Sequence, residues 1–289
     1  MEILNEVGYP LFTGSFGCAR TMRAMVDYRA FRERTLNKPR ARSTPHPARA
    51  KVHALLAASG AVLTEYQARP LLEAYGIGGN VYTFARSAAE VEAAVKALGG
   101  AVAVKVQSGD IPHKTEAGAV SLNVSPENAR AAYERVLENA KRFAPAAKIE
   151  GVVVQPMAPP GREVILGISR DKCWGSLLML GLGGVMVEAV RDAVLAPVPL
   201  DHEAAFALIH RLKASAVFGS YRGMPPADTE ALADLMVKLS QFAFDHADGV
   251  AEVDLNPVIV HARGDGITVV DALIVKRTVR RAERRTAAE

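Results

Sequence analysis

The stretch AVAVKVQSGDIPHKTEAGAVSLNV, residues 101–124, decides the fold. It opens with the apolar run 101–106, which is typical of a buried strand, although one cation, Lys105, interrupts it. The loop 108–118 follows, with Gly, Asp, Pro, His, Lys and Thr, and apolar alternation resumes over 120–124. The stretch therefore predicts two strands joined by a polar loop.

Two side chains of this stretch suggest phosphate chemistry. A buried ammonium such as that of Lys105 needs an anion, because an unpaired buried charge is costly, and a lysine at a strand end can neutralise nucleotide phosphates. His113, on the glycine-flanked loop, can act as a nucleophile toward phosphorus. The alternatives are a hairpin with a solvated tip, in which His113 bonds to backbone and Lys105 snorkels at a sheet edge.

The bulk composition excludes several classes of protein. The chain has 289 residues, 49% of them hydrophobic, which suits one large domain or two modest ones. A net charge of +4 is too small to indicate a nucleic-acid partner. Two distant cysteines, Cys18 and Cys173, favour a reducing, cytoplasmic setting. The N-terminus lacks signal-peptide character, and the apolar stretch 177–190 contains glycines and is too short for a membrane span.

Periodicity and turn residues predict an α/β order in the first half and an α+β order in the second. Thr64 with Gln67 and Ser87 with Glu90 fit capping boxes that begin two helices. Two final strands are expected at 250–260 and 267–275. The expected organisation is an N-terminal extension and linker (1–47), a small lobe (48–150), a larger lobe (151–277) and a basic tail (278–289).

A second group of polar residues lies on those final strands. Alternation places Glu252, Asp254 and Asn256 on one face of the first, and the second can bring Asp271 beside them. Carboxylate and amide oxygens suit Mg²⁺, which otherwise keeps water and substrate phosphates as ligands. The alternative is the polar outer face of an edge hairpin.

Two further segments are candidates for binding a nucleotide. Gln155, Pro156 and Met157 end a buried strand at a turn, where free backbone groups could pair with an adenine edge, and Glu163 could bind ribose hydroxyls. The glycine run 181–184, with Glu188 after it, permits close backbone approach to a ligand. Each has a plainer alternative, a crossover with a surface acid for the first and a tight turn for the second.

Together these motifs resemble a known family. The segments KVQSGDIPHKTEAGAV, GVVVQPMAPPGREVILGISRD, LGLGGVMVEAVRD, YRGMPPAD, EVDLNPVIV and VVDALIV occur in the order found in the ATP-grasp part of ADP-forming acyl-CoA synthetases. That family is related to the β subunit of succinyl-CoA synthetase. The resemblance covers residues 62–277, and residues 8–31 resemble the closing segment of the CoA-ligase domain that precedes ATP-grasp in fused members.

The resemblance implies a two-lobed ATP-grasp fold with an N-terminal helical extension and the reaction acid + CoA + ATP → acyl-CoA + ADP + phosphate. His113 matches the histidine that carries the phosphoryl group, and Lys105 matches the phosphate-binding lysine. Asn256 and Asp271 match the Mg²⁺ ligands, and Asp254 matches an acid that steadies the phosphohistidine.

The resemblance also implies ATP or ADP and Mg²⁺ as cofactors. Glu163 and the backbone of Gln155, Pro156 and Met157 match the nucleotide hinge, whereas Gly183 and Gly184 match a loop near the phosphates. The partner implied is a CoA-binding, ligase-type α subunit with its own phosphohistidine, which would also bind CoA and the carboxylic acid.

Some features depart from the family pattern. Gly109 stands where many relatives have Pro, and Ala119 replaces a second glycine. Nothing in the sequence matches a CoA site, so we expect the chain to be active only with a partner. The alternatives are a non-catalytic or regulatory ATP-grasp module and another ATP-grasp carboxylate ligase, which would not need His113.

Overall fold

A computed structural model describes residues 11–12, 14–37, 44–184, 192–220 and 223–277. The chain divides into two compact units between Thr44 and Pro45. The described part of the first unit is a single helix, α1, Ser15–Asn37. It contains the predicted helical segment 20–34 and extends beyond both ends. The predicted basic tail lies outside the described residues.

The second unit contains helices and two antiparallel sheets. In chain order its elements are α2 (Arg49–Ala58), β1 (Val62–Leu63), α3 (Glu65–Glu73), β2 (Thr83–Ala85), α4 (Ala88–Leu98), β3 (Val102–Gln107), β4 (Val120–Val124), α5 (Ala129–Phe143), β5 (Gly151–Pro156), β6 (Arg162–Asp171), β7 (Gly175–Leu182), β8 (Ala193–Pro197), α6 (His202–His210), α7 (Thr229–Asp245), β9 (Val250–Val260), β10 (Ile267–Val269) and β11 (Ala272–Lys276). Short 3-10 helices lie at Pro126–Asn128 and Ser215–Phe218. No helix in the described ranges is both long and apolar enough to cross a membrane.

The small sheet has the strand order β2-β5-β3-β4. The opening stretch of sequence forms β3 and β4 as predicted, and Lys105 pairs with Val153 on one side and Val120 on the other. Helices α4 and α5 pack on this sheet. Helix α5 does so because Ala132, Val136 and Ala140 recur every four residues and are fully buried.

The large sheet has the strand order β1-β11-β9-β6-β7-β8, with β10 also paired to β9. The predicted hairpin of β6 and β7 is confirmed, with Asp171 paired to Gly175 at its turn. Helix α7 packs on β6, β7 and β9. The apolar side chains of α2, β1 and α3 belong to the same core, so residues 49–77 pack with the large sheet, whereas Val152 and Val154 of β5 belong to the small-sheet core. Residues 49–77 and the strand β5 therefore each pack with the sheet on the other side of the lobe boundary expected at residue 150.

Two local predictions were wrong. The Ser87 hydroxyl accepts a hydrogen bond from the Glu90 N–H (3.3 Å), but the Glu90 carboxylate accepts from the Arg86 N–H (2.6 Å) rather than from Ser87. The capping box is therefore incomplete. At Thr64 the other half forms, because the Thr64 N–H donates to Gln67 Oε1 (3.1 Å).

The last strand, expected to be continuous, breaks into β10 and β11. The break lies opposite Pro257 of β9, whose carbonyl accepts from the Val270 N–H (3.0 Å). Because proline has no N–H, it cannot return a hydrogen bond to the Val270 carbonyl. That carbonyl is therefore available to side chains outside the sheet.

A buried cluster of polar residues joins the start of the second unit to the end of α7. The Tyr75 hydroxyl contacts Asp245 Oδ2 and His246 Nε2, each at 2.9 Å, and the His46 N–H donates to Asp245 Oδ2 (2.9 Å). The His46 ring stacks on Tyr75 at 4.3 Å. Burial lowers the pKa of His246 to about 4, with His53 and Arg49 adding to the effect of burial and Asp245 opposing it.

We predict that this histidine makes stability depend on pH between about 6.5 and 4. The unfolded chain binds a proton in that window and the folded chain does not, so the free energy of unfolding falls as pH falls, by roughly 2–3 kcal/mol in all. Urea unfolding of the wild type and of His246→Asn at several pH values measures the difference. The gap in stability between the two proteins should shrink toward pH 4, and a constant gap would contradict the assignment.

Candidate active site

The ammonium of Lys105 is buried, and its anion is supplied by a residue that the sequence analysis did not single out. Lys105 is 4% exposed, and its Nζ lies 3.3 Å from Glu65 Oε2 and donates to the Val270 carbonyl at 2.8 Å. Glu65 is the first residue of α3 and is fully buried. Because α3, which begins at Glu65, packs in the large-sheet core and the Val270 N–H donates to Pro257 of β9, Lys105 joins the two sheets.

Two more side chains complete this buried cluster. Arg69, one turn after Glu65 on α3, donates from Nη2 to Glu65 Oε1 (2.6 Å) and to Gln155 Oε1 (3.0 Å). Gln155 donates from Nε2 to the Val270 carbonyl (3.1 Å). We define the buried cluster as Glu65, Arg69, Lys105, Gln155 and the Val270 carbonyl. The i, i+4 spacing of Glu65 and Arg69 was the available sequence signal, but it also fits a solvated helix face.

The loop between β3 and β4 has a tied root and a projecting tip. At the root, Ile111 is buried in the small-sheet core, and the Gly118 carbonyl accepts from Asn139 Nδ2 (2.9 Å). At the tip, residues 112–116, His113 is exposed, whereas Lys114 is 6% exposed and donates from Nζ to Asp271 Oδ2 at 2.6 Å. The tip therefore lies on the large sheet while the root belongs to the small one.

The tip and the large sheet enclose a cavity of about 200 Å³. Its lining includes His113, Lys114, Asp254, Asn256 and Asp271. The sequence-predicted catalytic residues and metal ligands thus meet at one place. They do so because Asp254 and Asn256 alternate outward on β9 and Asp271 lies in the break between β10 and β11.

Charges around the cavity shift two carboxyl groups in opposite directions. Burial raises the pKa of Asp254 to about 6, and Asp271 and Glu252 add to this, whereas His113 and Lys114 oppose it. Burial would also raise the pKa of Asp271, but the charges of Lys105 and then Lys114 outweigh it and hold that pKa below its usual value. Asp271 therefore stays ionised to a lower pH than Asp254 does.

In the buried cluster, burial raises the pKa of Glu65, and the charge of Asp271 adds to the rise. Lys105 and Arg69 oppose it, in that order. The short contact between Arg69 and Glu65 needs an acceptor on the carboxyl group, which the ionised form supplies most strongly.

The oxygen atoms that line the cavity fit a hard divalent cation such as Mg²⁺. Asn256 and Asp271 offer an amide oxygen and a carboxylate, whereas no group of three or more His, Cys, Asp and Glu side chains in the described ranges is placed to hold a metal. An ion here would take most of its ligands from water and from phosphate oxygens, as Mg²⁺ does in nucleotide sites.

The hinge residues differ from the expectation of free backbone groups. The Met157 N–H donates to the Ala101 carbonyl (3.1 Å), and the Pro156 carbonyl accepts from Asn80 Nδ2 (2.9 Å). The Gln155 side chain is also engaged, in the buried cluster. The free backbone groups expected in this segment therefore do not include the Met157 N–H, because the ladder between β3 and β5 continues one residue past its last paired strand position.

The glycine run and Glu163 lie together on the large sheet. The Gly183 N–H donates to the Glu163 carbonyl (2.7 Å), and a Cβ at position 183 would stand 2.7 Å from the Cβ of Glu163, so only glycine fits there. Gly184 has φ +80°. Glu163 is exposed. None of the three lines the His113 cavity, and Glu188 of the same cluster lies outside the described residues.

Comparisons with known proteins agree with this fold. A family model described as an ATP-grasp domain matches residues 54–275. The chain therefore belongs to the ATP-grasp family.

Its relatives define the branch of that family. The β subunit of ADP-forming acetate–CoA ligase II from Pyrococcus furiosus is 38% identical over 225 residues, which are 78% of this chain and 95% of that protein. The ADP-forming acetate–CoA ligase I of Archaeoglobus fulgidus is 38% identical over 217 residues, covering 75% of this chain but 31% of that longer protein. Within the family, the chain is thus the β-subunit-like, nucleotide-binding part of an ADP-forming acyl-CoA ligase.

A solved structure gives the same result. The dinucleotide-forming acetyl-coenzyme A synthetase 1 of Ca. Korarchaeum cryptofilum matches with a TM-score of 0.65 and 32% identity, over 80% of this chain and 100% of that chain. That structure is described as a complex with coenzyme A and Mg-AMPPCP, with its phosphohistidine segment pointing towards the nucleotide-binding site.

We predict that Glu65→Gln destabilises the protein by about 3 kcal/mol, because it leaves Arg69 and Lys105 buried with no anion between them. Urea unfolding at pH 7.5 measures the loss. The exposed Glu134→Gln on α5 is the matched control and should change stability by less than about 0.5 kcal/mol. Equal stability of the two variants would show that the cluster does not depend on this charge.

Proposed function

We propose that the chain is the ATP-grasp subunit of an enzyme that converts a carboxylic acid, CoA and ATP into acyl-CoA, ADP and phosphate, and that His113 carries the phosphoryl group. The observation that supports this most directly is the position of His113, which is exposed on a projecting tip beside Asp254, Asn256 and Asp271. A structural histidine would be expected to have a fixed partner, whereas a carrier needs an accessible ring.

The residues can support direct transfer of a phosphoryl group from an oxygen of ATP to a ring nitrogen of His113. A lone pair on the His113 ring forms the N–P bond as the bond from the γ-phosphorus to the bridging oxygen breaks, which leaves ADP and a phosphohistidine. The ammonium of Lys105, which is close enough to Asp271 to lower its pKa, would help to stabilise the developing negative charge. Asp254 would hold the phosphohistidine ring by accepting its remaining N–H.

A divalent cation held by Asn256 and Asp271 would neutralise phosphate charge when bound. The nucleotide base and ribose would be bound by the hinge at Gln155, Pro156 and Met157 and by Glu163, with Gly183 and Gly184 beside them. Because the Met157 N–H is already engaged, we expect the hinge to recognise the base through a carbonyl oxygen, which can accept a second hydrogen bond.

The acyl half of the reaction would belong to a CoA-binding, ligase-type α subunit with a second phosphohistidine. The names of the Pyrococcus furiosus relatives as β subunits support such a partner. The carboxylic acid and CoA would bind there, and the names of the same relatives make acetate the first acid to test.

We predict that His113→Asn abolishes acyl-CoA formation by the complex with an α-type subunit, by at least about 10³-fold, because the covalent carrier is lost. Incubation with γ-labelled ATP should label the wild type with an acid-labile phosphate and leave the variant unlabelled. The exposed His53→Asn on α2 is the matched control and should label and turn over normally. Full turnover by His113→Asn would exclude His113 as the phosphoryl carrier and favour the reaction of another ATP-grasp ligase.

The products provide a separate test. The proposed route releases ADP and inorganic phosphate, which ion-exchange chromatography resolves from AMP and pyrophosphate. Acyl-CoA formation should require both subunits and a divalent cation, and release of AMP would exclude the proposed route.

A further inference from the structure

The residue next to the proposed carrier makes the contact that fixes the loop tip. Lys114 donates to Asp271 Oδ2 at 2.6 Å, and its side chain is 6% exposed, whereas the neighbouring His113 is exposed. The backbone holds this arrangement together, because the Lys114 carbonyl accepts from the Ala119 N–H (2.8 Å) at the loop root. Displacement of the Lys114 side chain would therefore loosen the turn that presents His113.

The same carboxylate is the proposed ligand of the divalent cation. Asp271 Oδ1 already accepts from the Ala272 N–H (2.9 Å), and Oδ2 is the atom occupied by Lys114. An ammonium at hydrogen-bond distance and a divalent cation on one oxygen repel each other at short range in a partly buried site, where screening is weak. Asp271 Oδ2 can therefore bind the Lys114 ammonium strongly or the cation strongly, but not both at once.

We propose that Lys114 is a positioning residue whose ion pair with Asp271 holds the loop tip on the large sheet until a divalent cation takes its place. Cation binding at Asp271 then releases the tip and frees His113 to move. This inference rests on the proposed function of Asp271 as a cation ligand and of His113 as the carrier. It adds a coupling between arrival of the cation and release of the carrier, carried by one side chain of the tip.

The experiment measures cation binding and loop mobility in the isolated chain, without turnover. Mn²⁺ is the probe, because it takes the same oxygen ligands as Mg²⁺ and its free form is counted by electron paramagnetic resonance. Amide hydrogen exchange of a peptide spanning residues 108–119 reports the loop. Three variants are compared with the wild type: Lys114→Met, the conservative Lys114→Arg, and Lys141→Met at an exposed position of α5.

The expected result is that Lys114→Met binds Mn²⁺ more tightly than the wild type by about tenfold, the usual size of a coupling between two ligands of one site. Its loop should exchange fast with or without Mn²⁺. In the wild type, saturating Mn²⁺ should speed loop exchange severalfold. Lys114→Arg should restore wild-type behaviour in both measurements, and Lys141→Met should not differ from the wild type.

An ordinary structural salt bridge would give a different pattern, in which removal of Lys114 loosens the loop but Mn²⁺ leaves loop exchange in the wild type unchanged. Equal or weaker affinity, no detectable Mn²⁺ binding by either protein, or wild-type loop exchange that ignores Mn²⁺ would each overturn the proposal. Circular dichroism of each variant confirms that it is folded. Failure of His113 labelling would overturn the carrier function instead, so the two failures are distinguishable.

Discussion

The hydrogen bonds to the carbonyl of Val270 are the interaction on which the arrangement of the site depends. Pro257 on the neighbouring strand cannot donate to that carbonyl. The carbonyl accepts instead from Lys105 and Gln155 of the small sheet. A carbonyl that lacks a donor in its own sheet is in this way satisfied by side chains of the other sheet. The next residue, Asp271, is fixed by the same break in the strand, and the cavity beside His113 is formed around it.

The buried cluster explains how a lysine can occupy the middle of a fully buried strand. Burial of Lys105 alone would be prohibitive, but Glu65 and the Val270 carbonyl supply an anion and a dipole at hydrogen-bond distance. Arg69 balances the carboxylate from its other side. The cluster therefore places positive charge between the sheets while each member keeps a partner.

The sequence predicted much of this structure because the relevant signals were local. Apolar alternation located β3 and β4 on either side of the His113 loop, and alternation on β9 correctly placed Asp254 and Asn256 on one face. The two-lobed ATP-grasp fold was implied by the resemblance of the ordered motifs to a known family, because single-residue arguments alone did not favour it over the plainer alternatives.

The parts that could not be predicted depend on contacts between distant segments. Glu65 looks like an ordinary first-turn acid of a helix, and nothing local shows that it faces Lys105, 40 positions away. The engaged N–H of Met157 is another example, because its acceptor, Ala101, lies at the far end of the paired strand. The break before Asp271 was visible only as a proline in the opposite strand, whose effect depends on register.

The anchored root of the loop limits how far its histidine can travel. Ile111, which is 1% exposed, precedes His113 by two residues, and two extended residues span at most ~7 Å. Within that radius the imidazole can change direction at almost no cost in core packing. A longer excursion must first lift Ile111 out of the small-sheet core, which costs about 1.5–3 kcal/mol in lost burial. The length of this tether therefore separates short reorientations of the His113 ring, which thermal motion allows, from larger displacements, which expose Ile111 unless another surface covers it.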